Sequence, residues 1–135
     1  MKKEHTISPS NKDIDFLTQK INEETPNFGK AYPFAFFIRD KNDNIIAGCN
    51  GSVIFGAIHT DQLWVHPNHR KQGLGKRLME SVHNYGQEVE CTMATVATMS
   101  FQGAVKFYKD LGYQVEYGRT GHTKGESFIF LKKEL

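Results

Sequence analysis

The sequence predicts one α/β domain built on a mixed, mostly antiparallel sheet with helices on both faces. Three observations carry this. Aromatic and β-branched runs recur between Phe34 and Val65 with gaps too short for crossover helices, so hairpins are the economical connection. From Leu74 the apolar spacing turns helical, and this stretch separates two apolar strands, which makes a parallel pair with a right-handed crossover. No repeat, low-complexity tract or linker interrupts the 135 residues, so a single core is expected over 1–135.

The elements follow in order. His5–Ser8 reads as a short first strand. Ser10 or Asn11 can cap a helix whose inward positions are Ile14, Leu17 and Ile21, three and four residues apart. Thr25–Pro33 holds two prolines and a glycine and is expected to be loop. Phe34–Asp40, Ile45–Gly56 and Ala57–Val65 are the next three strands, the middle one bent or bulged near Gly48 and Gly51. Leu74, Leu78, Val82, Tyr85 and Val89 form one face of a long helix. Cys91–Met99 is a strand. A short helix follows, capped by Ser100, with Ala104, Phe107 and Leu111 inward and Gly112 as its C′ residue. Tyr113–Gly118 and Glu126–Leu135 are the last two strands. The predicted order is β-α-β-β-β-α-β-α-β-β, with the fourth and fifth strands parallel.

Composition excludes several classes. Seventeen basic and fifteen acidic residues leave a net charge of only +2, too balanced for a duplex nucleic-acid binder. Charged residues at 24 % and hydrophobic ones at 39 % fit a folded protein and not a disordered one. No apolar run approaches the roughly 20 residues that span a bilayer. The basic N-terminus lacks an apolar segment behind it, so no secretory signal is read and a cytoplasmic location is expected. Cys49 and Cys91 have no metal or redox spacing and read as reduced, buried thiols. His59, His66 and His69 have no nearby cysteine to complete a metal set, so no metal is expected.

The segment from Leu63 to Met79, LWVHPNHRKQGLGKRLM, carries the chemistry. A strand runs through a basic turn with two glycines into a helix. Gly73 and Gly75 leave the backbone open, successive N–H groups can share one concavity, and the helix start adds its free N–H groups and its dipole. Arg70, Lys71, Lys76 and Arg77 add full charges. Two named phosphate motifs fail. Arg70 stands where a P-loop needs its first glycine, and Arg77 follows Lys76 where Ser or Thr belongs. Leu78 stands where the dinucleotide pattern needs its third glycine.

Arg70-Lys71-Gln72-Gly73-Leu74-Gly75 resembles motif A of the GNAT superfamily, the acetyl-CoA-dependent N-acetyltransferases, whose pattern is R/Q-x-x-G-x-G/A at a strand-to-helix junction. The preceding LWVHP is similar to that family's strand ending in Val-x-Pro. SFQGAVKFYKDLGYQV resembles its second signature, an alanine, then Phe-Tyr, then Leu-Gly-Tyr/Phe. Together these cover about Ala57 to Leu135. The resemblance implies the GNAT fold and transfer of an acetyl group from acetyl-CoA to a primary amine, by direct attack in a ternary complex.

By the same resemblance, the amides of Gln72, Gly73, Leu74, Gly75 and Lys76 would bind the CoA pyrophosphate, with Arg70 or Lys71 beside it. The backbone of Leu63 and Val65 would pair with the acetyl carbonyl and the pantetheine arm. Tyr108 matches the tyrosine that protonates the departing thiolate. Its bland reading is a core aromatic beside Phe107. Where many members have an asparagine on the pantetheine, this chain has Phe101, with Ser100 and Gln102 as possible replacements. Residues of equal parity on a strand share a face, so His59, Asp61, Leu63 and Val65 are expected to point the same way. His59 is then a candidate general base, with Asp61 orienting it or working through water. The other reading makes both plain polar residues of a half-exposed strand. A rival from a different class is a non-catalytic acyl-CoA sensor, indifferent to Tyr108→Phe. A homodimer is an expectation from the family alone.

Overall fold

A computed structural model describes residues 1–135. The elements are α1 (Asn11–Glu24), β1 (Ala31–Arg39), β2 (Ile45–Ile54), β3 (Ala57–Val65), α2 (Leu74–Glu88), β4 (Met93–Met99), α3 (Val105–Asp110), β5 (Gln114–Arg119) and β6 (Phe128–Glu134). One six-stranded sheet runs β1-β2-β3-β4-β6-β5. β3 and β4 are parallel and every other pair is antiparallel. The parallel pair is therefore the third and fourth strands, not the fourth and fifth. The segments are the ones expected, but the count shifts because His5–Ser8 forms no strand. Its Ser8 N–H instead donates to the Thr6 hydroxyl, a local turn that leaves no ladder to join.

Burial alternates along the strands. Phe34 on β1, Ala47, Cys49 and Val53 on β2, Ile58 on β3 and Ala94 and Val96 on β4 turn toward α2 and form the core with Leu78, Met79 and Val82. Leu74, Tyr85 and Val89 pack at the rim of this cluster, so the whole predicted α2 stripe is engaged. Gly86 lets the helix sit close: a Cβ there would meet Ile58 at 2.9 Å and Leu135 at 3.0 Å. Phe34 and Phe36 stack on Tyr85 with tilted and edge-on geometry, as aromatic pairs prefer.

Three features differ from expectation. β1 begins at Ala31 and runs through Pro33, which an edge strand tolerates because no ladder N–H is lost there. The Asn22 amide fixes this start, donating to the Ala31 carbonyl and accepting from the Ala31 N–H, both at 2.7 Å. Helix α1, capped by Ser10 as predicted, buries nothing: Ile14, Leu17 and Ile21 stay 46–57 % exposed. It crosses the face opposite α2 at the β1 end and stands off the sheet. Ser100 does not cap α3. It lies in a short 3-10 turn, where its hydroxyl pairs with Glu126 and accepts the Ser127 N–H. α3 starts later, packs Ala104, Phe107 and Leu111 against the core as expected, buries Tyr108 as well, and closes at Gly112 with Tyr113 N–H donating to the Tyr108 carbonyl.

Candidate functional site

The β3–β4 ladder holds from Ala57↔Met93 to Thr60↔Val96 and then stops. Beyond it, β3 stays on β2 and β4 stays on β6, so the two strands part. The gap opens into a cleft of about 840 Å³, whose lining includes Leu63, Val65, Gly73, Lys76, Ala97 and Tyr108.

Backbone alternation decides what faces this gap. His66 N–H donates to the Ile46 carbonyl at 2.8 Å, on the β2 side. In an antiparallel pair, residues alternate between bonding the neighbour and facing away from it. Trp64 and Gln62 therefore bond toward β2, whereas the peptide groups of Val65 and Leu63 face the vacated β4 side. The Val65 carbonyl bears this out, accepting from Arg70 Nε at 2.9 Å. Arg70 thus takes the Val65 carbonyl, and the Leu63 peptide groups and the Val65 N–H face the cleft without a β4 partner.

A β-bulge sits just before them. Asn50 pairs with Gln62 but Gly51 pairs with Thr60, which leaves Asp61 as the extra residue. The bulge corrects the expectation of a shared face. Ile58 and Thr60 turn toward α2, and so do Leu63 and Val65. His59 lies on the opposite face, with Gln62 and Trp64. Gly51 is what permits the close approach, because a Cβ there would fall 1.8 Å from the His59 carbonyl oxygen. Only the bend near Gly51 hinted at this in the sequence, and it did not say which strand carries the extra residue.

The basic turn comes next. Lys71 and Gly73 both have positive φ, 62° and 79°. Gly73 is the N-cap of α2 with no side chain to occupy the first-turn donors. The first helical hydrogen bond runs from Arg77 N–H to the Gly73 carbonyl, so the N–H groups of Leu74, Gly75 and Lys76 have no helical acceptor. Lys71, Gly73, Leu74, Gly75 and Lys76 all line the cleft; Gln72 does not. Arg70 lines it too, held by its bond to Val65. Gly75 packs under Phe107, at 3.3 Å from a built Cβ, which ties α2 to α3. The cleft is electrically polar: Arg70, Lys71 and Lys76 gather at the helix end, and Asp61 lies at the other end, four residues before Val65 on β3, roughly 13 Å from Val65 by strand rise.

Tyr108 closes the side opposite β3. It is 6 % exposed, lies edge-on to Phe107 and Tyr113, and burial pushes its hydroxyl up to about 12, with Cys49 adding to the effect. It remains a neutral donor at any ordinary pH. Phe101 is 59 % exposed and lies outside the cleft, because successive residues of the 3-10 turn diverge. Gln102 enters instead, its Oε1 accepting from Met99 N–H at 2.8 Å and from Thr98 Oγ1 at 3.0 Å. His59 also lies outside the cleft. Its Nδ1 is 2.7 Å from Thr95 Oγ1 and its Nε2 is 3.4 Å from Asp61 Oδ1. Of that pair only Asp61 reaches the cleft. No group of three or more His, Cys, Asp or Glu side chains is arranged to hold a metal.

On the other face, between α1 and β1–β3, lies an open groove of about 910 Å³. Gln62 and Trp64 line both cavities, so the two meet through the parted strands.

This arrangement has known counterparts. The sequence profile of the Acetyltransferase (GNAT) domain matches residues 33–115. The chain belongs to the GNAT acetyltransferase family. A blasticidin-S acetyltransferase from Streptomyces morookaense is 30 % identical over 103 residues, 76 % of this chain and 75 % of that one. Among solved structures, an acetyltransferase from Bacillus cereus ATCC 14579 aligns with a TM-score of 0.75 at 23 % identity, covering 98 % of both chains. An aminoglycoside 6'-N-acetyltransferase complexed with coenzyme A aligns at 0.69 and 16 % identity, covering 83 % of this chain and 76 % of that one. At those identities the structures establish the shared GNAT fold. No helix of this GNAT chain is long and apolar enough to cross a membrane.

Proposed function

We propose that this chain transfers the acetyl group of acetyl-CoA to the nitrogen of a primary amine, by direct attack in a ternary complex. The observation that carries the reading is one line of features: an uncapped helix start beside a basic turn, a strand end parted from β4, and a buried neutral tyrosine. The pyrophosphate would sit on the amides of Leu74, Gly75 and Lys76, with Lys71 and Lys76 adding charge. The pantetheine arm would extend β3 along Leu63 and Val65, and Gln102 would approach it from the other wall.

The Leu63 N–H would stabilise the oxyanion as nitrogen attacks the thioester carbon. An N–C bond forms, the C–S bond breaks, the amine loses a proton to solvent and the sulfur gains one. An ordinary thiol titrates near about 8.5, so a tyrosine held near 12 is the weaker acid. Tyr108 therefore acts as a hydrogen-bond donor to the departing sulfur, and the thiolate takes its proton from solvent. Asp61, at the amine end of the cleft, takes or relays the amine's proton through water, and His59 positions Asp61 from behind.

The test is acetyl-CoA consumption over amino acids, lysine peptides, polyamines, aminoglycosides and blasticidin S, alongside calorimetry with CoA. Turnover with an amine and saturable CoA binding are expected. Tight CoA binding with no turnover on any of them would replace this reading with a non-catalytic sensor. An unchanged kcat and amine KM in His59→Ala would remove that histidine as the residue that positions Asp61.

A further inference from the structure

We propose that helix α1 is a docking surface for a second copy of this chain, the two helices packing antiparallel about a two-fold axis. The pairing is independent of acetyl transfer, since no residue of α1 lines the cofactor cleft. Three features of the helix point to it.

The first is an apolar strip that the protomer leaves uncovered. Fifteen large hydrophobics are exposed in the whole chain, and six of them, Ile7, Ile14, Phe16, Leu17, Ile21 and Phe28, fall in or beside α1. The face of α1 turned to the sheet is a different one: Asn11, Ile14, Asp15 and Thr18 border the groove, and Asn22 bonds Ala31. At about 100° per residue, Leu17 and Ile21 lie on the side of Ile14 away from Asp15 and Thr18. A helix of 14 residues with none buried is marginal in water by itself, so cover over this strip stabilises it.

The second is charge. Asp13 and Lys20 are two helical turns apart, so they stand on one flank of the strip. In an antiparallel two-fold pair like flanks meet, so Asp13 faces the partner's Lys20 and Lys20 faces the partner's Asp13. A parallel pair would set this flank against the partner's Thr18, which carries no charge. Asp13 has no ion pair within the protomer. Lys20 has only a half-exposed contact with Glu23 at 3.4 Å, which costs little to exchange.

The third is fit. The register that joins Asp13 to the partner's Lys20 puts the axis between positions 16 and 17. Ile14 then falls between the partner's Leu17 and the partner's Ile21, and Leu17 falls between the partner's Ile14 and the partner's Leu17. This is the knob-in-hole seating of paired helices. The same direction brings Ile7, 90 % exposed before the helix, to the end where the other copy carries Phe28, 77 % exposed after it. One patch thus complements itself, as a two-fold interface requires. Two short helices bury less than a standard interface, so the dimer is a weak one.

The experiment is sedimentation velocity on the full chain from about 1 μM to about 1 mM, where a reversible monomer–dimer equilibrium is expected. Leu17→Gln should raise the dissociation constant at least about tenfold, because both copies carry the change. Asp13→Lys and Lys20→Asp should each raise it about threefold by setting like charges together, and the double reversal should restore it. All three positions are exposed, and a cooperative unfolding transition in dilute solution checks that each variant folds. A chain that stays monomeric at about 1 mM overturns the pairing. So does a dimer indifferent to Leu17→Gln, or a double reversal that stays as weak as the single ones. A dimer that survives Leu17→Gln but is lost in Val115→Asp would lie on the exposed β5 edge instead, and the α1 assignment falls.

Discussion

Alternate residues of strand β3 are put to opposite uses. Toward the cleft, Leu63 and Val65 present backbone, and their side chains only pack. Toward the groove, Gln62 and Trp64 present side chains, and their backbone is spent on β2. The cleft adds more backbone at Leu74, Gly75 and Lys76, whereas the groove adds Phe37, Asn50 and Asp15. A site made of main chain tolerates sequence change as long as the path of the chain is kept. A site made of side chains changes with every substitution. The bulge at Asp61 joins the two, and it exists because Gly51 lets β3 approach.

The sharpest way to break this contrast is at the bulge. Gly51→Ala forces a Cβ into the His59 carbonyl, backbone against backbone, with no flexible side chain to yield. We expect a loss of about 4 kcal/mol or more, measured as a denaturant midpoint shift at constant slope. Failure of both cofactor binding and catalysis should accompany it. An unchanged midpoint would mean that the bulge does not depend on glycine.

Next in size is Tyr108→Phe. It keeps the ring among Phe107 and Tyr113 and removes only the donor. A fall in kcat of about a hundredfold with little change in CoA affinity is expected. Equal losses in both would make Tyr108 a packing residue of the cleft wall.

A control lies away from either cavity. His83 is 2.7 Å from the Tyr113 hydroxyl, and its pKa is lowered to about 4, chiefly by burial and further by Lys133. The unfolded ring titrates near about 6.5. Between those values the unfolded chain binds more protons, so His83 stabilises the fold above about pH 6.5 and that contribution is lost as pH falls toward 4. The expected loss is on the order of 2 kcal/mol, after discounting a ring that is only partly buried. His83→Gln should flatten stability against pH over that window.

Smallest of all is Leu17→Gln. Leu17 is 57 % exposed on a helix with no buried residue, so less than about 0.5 kcal/mol should be lost. A larger effect in dilute solution would show that α1 is covered there.

The cleft was more legible in the sequence than the groove, for physical reasons. Glycines ahead of a helical period and a cluster of basic residues mark an anion turn locally, and Gly73 and Lys76 line the cleft. Tyr108 needed a second, distant signature, because spacing alone reads it as packing. The groove has no such marker. Phe37, Asn50 and Trp64 meet through cross-strand register, and register depends on one inserted residue that strict alternation cannot reveal. The same insertion moved His59 to the other face. Helix α1 shows a different limit: its three-and-four spacing marks an amphipathic helix, but spacing does not say how close that helix sits to the sheet. Phe101 and Gln102 were exchanged because a 3-10 turn, with three residues per turn, aims neighbours differently from the helix expected there.

One inserted residue thus gives a single strand two independent edges of inheritance. Substitutions at Gln62, Trp64 or Asn50 can redraw what rests on the groove face while the peptide groups of Leu63 and Val65 keep their direction. Deleting Asp61 would restore strict alternation with every face kept, because Thr60 and Leu63 already turn to the core and Gln62 to the groove; what would go is the local kink the extra residue puts into the strand. Side-chain changes on the groove face therefore leave the main chain of the cleft where it is.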